Sequence, residues 1–181
     1  MLGRRFDRLT ALVVDENEES LASIRGAFAT LGFGQVLPAE DAFVADMIVD
    51  HTPVHLILME QWLSPFDGIE LTRRIRARED RQLATVPIIL HAMVVNGDIV
   101  QGARDAGITD FVAKPASMAT LQQRIIASLT KPRPFISSHI YTGPCRRRRA
   151  LRRAGMERRR LLPQPHAALP RAPAHVVSTS S

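Results

Sequence analysis

At 181 residues, 45% of them hydrophobic, the chain has room for one packed domain plus an extension and is too apolar to be disordered throughout. Its formal charge of +6 hides a division: residues 1–130 hold 12 basic against 17 acidic side chains, net −5, and residues 131–181 hold 12 against one, net +11. No apolar run nears the ~20 residues of a membrane span, residues 9–14 are too short for a signal-peptide core, and the single Cys145 excludes an internal disulfide or a multi-cysteine zinc site, which suits a reducing, cytoplasmic setting.

Leu12, Val13 and Val14 read as a buried strand that stops at the acid pair Asp15 and Glu16. Glu16 or Asn17 then caps a helix in which Leu21, Ile24, Phe28 and Leu31 recur at helical spacing, and Gly32 and Gly34 close it. Residues 35–38 form a weak second strand and residues 42–49 a helix. Residues 54–59 form the strongest strand, with Glu60 at its end. The loop over residues 64–68 turns into a helix that runs to about Ala77. Residues 86–90 form the fourth strand, where Pro87 fits only near the start. A helix over residues 98–106 ends at Gly107, and residues 109–113 form the fifth strand. The last helix carries one apolar stripe, Met118, Leu121, Ile125 and Leu129.

Five strand–helix pairs predict an α/β domain over residues 1–130, a five-stranded doubly wound parallel sheet that folds without the rest of the chain. Ligands of such sheets bind outside the carboxyl ends of the strands. The residues there are Asp15 and Glu16, Glu60, the His91–Ala92 region and Lys114, which is the only lysine in the first 130 residues. Three carboxylates and one ammonium at one end of a sheet make a cation site with a basic partner. The plainer reading is that the acid pair caps the first helix and that Lys114 satisfies a buried acidic cluster. His51, His55 and His91 lack metal-ligand spacing. No phosphate-binding Gly-rich loop with its Lys, no Gly-x-Ser-x-Gly elbow and no Cys–His pair occurs, so nucleophilic catalysis has no candidate. Phosphoryl transfer by the acidic cluster and a cation would also lack a nucleophile, and the chain is not read as an enzyme.

Val13-Val14-Asp15-Glu16-Asn17, Leu56-Ile57-Leu58-Met59-Glu60, Pro65-Phe66-Asp67-Gly68, Val86-Pro87-Ile88-Ile89 and Phe111-Val112-Ala113-Lys114-Pro115 follow one another in this order. Over residues 9–130 the chain thereby resembles the response regulator receiver domain, the CheY-like, flavodoxin-like module of two-component phosphorelay signalling. The resemblance implies a Mg2+ site at Asp15, Glu16, Glu60 and the backbone carbonyl of Trp62. It also implies a phosphoryl-site lysine at Lys114, a switch aromatic at Phe111, and a partner face over residues 98–129. Its partners would be a histidine kinase or another signalling protein. Two positions depart from the family: Glu60 stands where the phosphoaccepting Asp is expected, and the hydroxyl position is Ala92, or His91 after a one-residue slip. Glutamate is one methylene longer and alanine donates no hydrogen bond. The expectation is a pseudo-receiver that acts by protein–protein contacts and is not phosphorylated at the usual site. Glu60 is then either an inert partner of Lys114 or a fixed imitation of the phosphorylated state.

Residues 131–181 are rich in Arg, Pro and Ala and contain seven of the 12 prolines. They read as a disordered or partly helical tail, with residues 150–160 able to form a short basic helix. Their start is similar to extensions on some stand-alone bacterial receivers. Such a tail can bind nucleic acid or an anionic surface electrostatically, with the α/β domain as scaffold. It can equally be a solvated end, or a product of reading-frame drift in a GC-rich gene.

Overall fold

The computed structural model describes residues 6–93, 96–138 and 140–146. Strands β1 (Thr10–Val14), β2 (Gln35–Ala39), β3 (Leu56–Glu60), β4 (Ile88–Ala92) and β5 (Asp110–Ala113) form one parallel sheet in the order β2-β1-β3-β4-β5. Side-chain alternation along these strands divides the core in two. Leu12, Val14, Ile57, Met59, Ile88 and Leu90 face α2 (Ala42–His51), α3 (Gly68–Arg76) and α5 (Gly97–Ala106). Ala11, Val13, Leu56, Leu58, Ile89 and Val112 face α1 (Glu18–Thr30) and α6 (Met118–Thr130). The central strands are therefore buried on both sides, and each enclosed Leu or Ile contributes about 2 kcal/mol. Pro38 is tolerated because β2 is an edge strand, paired only with β1.

Short polar side chains start the helices. Asn17, not Glu16, caps α1 by accepting the Ser20 N–H, and Asp41, Asp67, Asn96 and Ser117 do the same for α2, α3, α5 and α6. Gly107 ends α5 at φ 93°, a left-handed conformation that favours glycine.

Two local expectations need correction, and one short element is added. The third strand begins at Leu56, two residues later than its apolar run: the His55 N–H donates to the Thr10 carbonyl at 2.8 Å, outside the β3 ladder. Residues 81–84 form a single-turn helix, α4 (Arg81–Ala84), which is too short to show periodicity. Met118 is 39% exposed, so the stripe of the last helix buries Leu121 and Ile125 without it.

Regular structure continues past residue 130. Residues 135–144, assigned to the tail by composition, form a two-stranded antiparallel hairpin, β6 (Phe135–Ser138) and β7 (Tyr141–Pro144). It lies against the domain: Phe135 is 3% exposed and stacks on the Arg76 guanidinium, and Arg133 donates to the Thr109 carbonyl. A Cβ on Gly107 would meet the Thr142 carbonyl oxygen at 2.4 Å, so this glycine also admits the hairpin. The Arg- and Pro-rich surroundings conceal a segment whose one buried aromatic, Phe135, cannot create a periodic signal. The stretch over residues 150–160, read as a basic helix, lies outside the described residues.

Candidate functional site

Parallel register brings the strand ends together. Val14 pairs with Met59, Glu60 with His91 and Ala92 with Ala113, so Asp15, Glu60 and Lys114 emerge at one end of the sheet. The Lys114 N–H donates to the Ala92 carbonyl at 2.7 Å, which fixes where its side chain begins.

Lys114 is the hub. Its Nζ donates to Asp15 Oδ2 at 3.2 Å and forms a very short contact with Glu60 Oε2. Burial opposes the ammonium charge, but the hydrogen bond and Coulomb attraction from Glu60, then Asp15, outweigh it and raise the Lys114 pKa. Glu60 is 9% exposed, and its other oxygen, Oε1, accepts the Gln61 N–H at 2.8 Å. Asp15 is 4% exposed and spends Oδ1 on the Asn17 N–H at 2.9 Å and Oδ2 on the Ser20 hydroxyl at 2.6 Å as well as on Lys114. Glu16 turns outward and accepts the Ser64 N–H. The two neighbouring acids thus act differently. Asp15 is held in the cluster, and Glu16 ties down the loop after β3.

That loop explains the motif around Gly68. The Gly68 N–H donates to the Gln61 carbonyl at 2.8 Å, and a Cβ there would meet the Glu60 carbonyl oxygen at 2.4 Å. Asp67 caps α3, so one tight turn returns the chain over Glu60. Trp62, on the rim, is 60% exposed.

Of the residues selected from sequence, Asp15 and Glu60 both contact Lys114, whereas Glu16 bonds to the loop after β3. Ala92 is fully buried at the end of β4, and its methyl group offers no donor to the site. Phe111 is half-buried beside Leu90 and packs against the core on the α5 side. No sequence signal pointed to Ser20 or Ser64, whose roles depend on two turns folding back on the acids. His91, marked in sequence by its place at the end of the fourth strand, lies opposite Glu60 with both ring nitrogens buried and without a partner among the described residues. Burial, and then Lys114, lower the His91 pKa to about 4 despite the opposing pull of Asp15, so it is neutral at pH 7.

The chemistry of the donor set suits a hard divalent cation. Asp15, Glu16 and Glu60 are all-oxygen donors, and Lys114 offsets only one of their three negative charges. Both oxygens of Asp15 and of Glu60 and one of Glu16 are engaged in the bonds above, and among the described residues no three His, Cys, Asp or Glu side chains already converge as a metal cage. A cation therefore has to compete with Lys114 for Glu60 and with the Ser64 N–H for Glu16.

Known proteins share this fold. Residues 11–126 match the response regulator receiver domain family. The chain is 27% identical over 115 residues to the chemotaxis protein CheY1 of Helicobacter pylori, an alignment covering 63% of this chain and 91% of that protein. The receiver domain of a sensor histidine kinase from Pseudomonas aeruginosa PAO1, solved with magnesium coordinated in its active-site cleft, is 30% identical. It superposes with a TM-score of 0.59 over 66% of this chain and 94% of its own. A chemotaxis response regulator of Vibrio cholerae, CheY4, at 19% identity and a TM-score of 0.60, shares the fold. No helix among the described residues is long and apolar enough to cross a membrane. With its parallel five-stranded sheet, its acids and lysine at one end of that sheet and this match over most of the sheet, the chain belongs to the response regulator receiver family.

Proposed function

We propose that this receiver signals through protein contacts and that its Glu60–Lys114 ion pair stands in place of the phosphorylation switch. The observation that supports this reading is the engagement of Glu60 itself. A carboxylate at the strand-three end, nearly buried, has one oxygen on Lys114 and the other on the Gln61 N–H. Such a group is a poor nucleophile toward a phosphodonor, and its extra methylene carries it into the space the phosphoryl group would fill. The ion pair supplies Lys114 with a permanent anionic partner, the charge arrangement that a phosphoryl group creates transiently. Ala92, without a hydroxyl, leaves nothing for the strand-four end to close upon.

Asp15, Glu16, Glu60 and the Trp62 carbonyl are the groups that would hold Mg2+. When bound, the cation supplies the positive charge that three carboxylates and one lysine leave unmet. The contact surface is the face of α5, β5 and α6, and the partner a histidine kinase or another signalling protein.

The test is incorporation of labelled phosphate from a low-molecular-weight donor with Mg2+ present. The unmodified chain should take up none, and Glu60→Asp should restore partial uptake, because Asp15 and Lys114 remain in place. Adding Ala92→Thr should enlarge the change in Trp62 fluorescence more than the uptake, since acceptor and latch are separate. Incorporation at Glu60 in the unmodified chain would overturn the reading.

A second reading rests on the net charge of +11 over residues 131–181, which favours electrostatic binding of nucleic acid or an anionic surface by the tail. Removing residues 147–181 separates the two, because contact-based signalling through α5, β5 and α6 survives that cut.

A further inference from the structure

At the opposite end of the sheet, a cleft holds a buried cation that lacks a counter-ion among the described residues. Arg76, the last residue of α3, is 5% exposed. Its Nε donates to the Gly107 carbonyl at 3.1 Å and its Nη1 to the Ala84 carbonyl at 3.0 Å, while Phe135 covers the guanidinium at 4.9 Å. Its Nη2 is buried and has no hydrogen-bond partner among the described residues. No carboxylate among them pairs with it either. Burial lowers the Arg76 pKa to about 9, with Tyr141 acting in the other direction, so the group is still protonated at neutral pH. A buried, unpaired guanidinium is costly to keep unless an anion joins it.

The surroundings fit an anion. Arg76 lines a cleft of about 320 Å³ between the end of α3, α4 and the hairpin, which Arg81, Ser137 and Thr142 also line. Arg81 is exposed and forms no ion pair, and the side chains of Ser137 and Thr142 make no hydrogen bond, among the described residues. The neighbouring Arg78 is already committed, to Asp46 at 2.6 Å and Asp50 at 2.8 Å. Glu79, the one carboxylate on the wall, is exposed and can turn to solvent. The unpartnered Nη2 of a guanidinium beside hydroxyl donors suits an oxyanion, which accepts several hydrogen bonds at once.

We propose that this cleft binds an oxyanion of the phosphate class, with Arg76 Nη2 as the buried donor and Arg81, Ser137 and Thr142 at the rim. Ala84 precedes β4 and Gly107 precedes β5, so the site lies at the amino ends of the strands, apart from Asp15, Glu60 and Lys114. The hairpin completes the site, which gives that extension a role beyond covering Arg76.

The test is a titration of the full chain, labelled with nitrogen-15, with inorganic phosphate against chloride at constant ionic strength. A parallel arm uses glycerol phosphate. The Arg76 Nε–H signal and the amides of Ser137 and Thr142 should shift together and saturate. Arg81→Gln should leave the fold intact and weaken the apparent affinity about three- to fivefold. Saturation by glycerol phosphate as well assigns the site to phosphomonoesters; saturation by inorganic phosphate alone assigns it to the free ion. The proposal is overturned if those three signals show no saturable shift below about 10 mM, if only the arginines of the tail respond, or if Arg81→Gln binds as the unmodified chain does.

Discussion

Replacing Phe135 with alanine tests whether the hairpin is part of the domain. Its ring is 3% exposed and lies 4.9 Å from the Arg76 guanidinium. Truncating a buried Phe costs about 3–5 kcal/mol, and loss of a cation–π contact accounts for about 1 kcal/mol of that. The hairpin is at the periphery and can settle into part of the vacated space, so the lower end applies, about 3 kcal/mol. For a folded unit of this size that lowers the thermal midpoint by about 10 °C. Thermal and urea unfolding of the full chain and Phe135→Ala measure it. Two truncations sharpen the result. A chain ending at Arg146 should unfold at the full-length midpoint, because it keeps the hairpin and its contacts with Arg76 and Gly107. A chain ending at Thr130 should lose at least as much as Phe135→Ala, since Arg76 is then left uncovered. Composition alone predicts no loss at either cut. Equal midpoints for the full chain, Phe135→Ala and the Thr130 truncation would refute the packing argument.

Gly68→Ala gains helix propensity of about 1 kcal/mol but places a Cβ 2.4 Å from the Glu60 carbonyl oxygen. Overpacking should prevail, for a net loss of about 1–2 kcal/mol in urea unfolding, and a gain in stability would contradict the turn geometry. His91 titrates near 4 when folded against 6.5 when unfolded, so its contribution is present above pH 6.5 and lost as pH falls through 4. His91→Gln should remove about 1–2 kcal/mol of the stability lost between pH 7 and pH 4, after allowance for the partial exposure of the ring; parallel acid sensitivity in both proteins would dismiss the assignment. Any nucleic-acid binding by the tail should show no sequence preference and a log–log salt slope of about −0.9 per phosphate contacted, so a salt-independent complex would exclude an electrostatic mode.

The sheet and the frame of its site were legible along the chain. Strand residues such as Leu56, Ile57, Leu58 and Met59 are apolar without interruption because both faces are covered, and acids that end such runs must emerge at the same edge. Asp15, Glu60 and Lys114 could therefore be read as neighbours, and Glu60 and Ala92 were visible as departures from the family. Contacts made by groups without periodicity were not. Ser20 reaches Asp15, and Glu16 reaches Ser64, only because turns fold back across 5 and 48 residues of chain. Of the three acids read together from the strand ends, Lys114 contacts Asp15 and Glu60, as the plainer reading expects, while Glu16 turns to the loop after β3. The hairpin was lost in its Arg- and Pro-rich composition, and its place was decided by partners far away in sequence: the ring of Phe135 on Arg76, and the Thr142 carbonyl against a glycine that has no Cβ to exclude it. Periodic burial repeats along the chain and can be read from it; a single side chain docking on a distant one leaves no repeat, so only the folded arrangement reveals it.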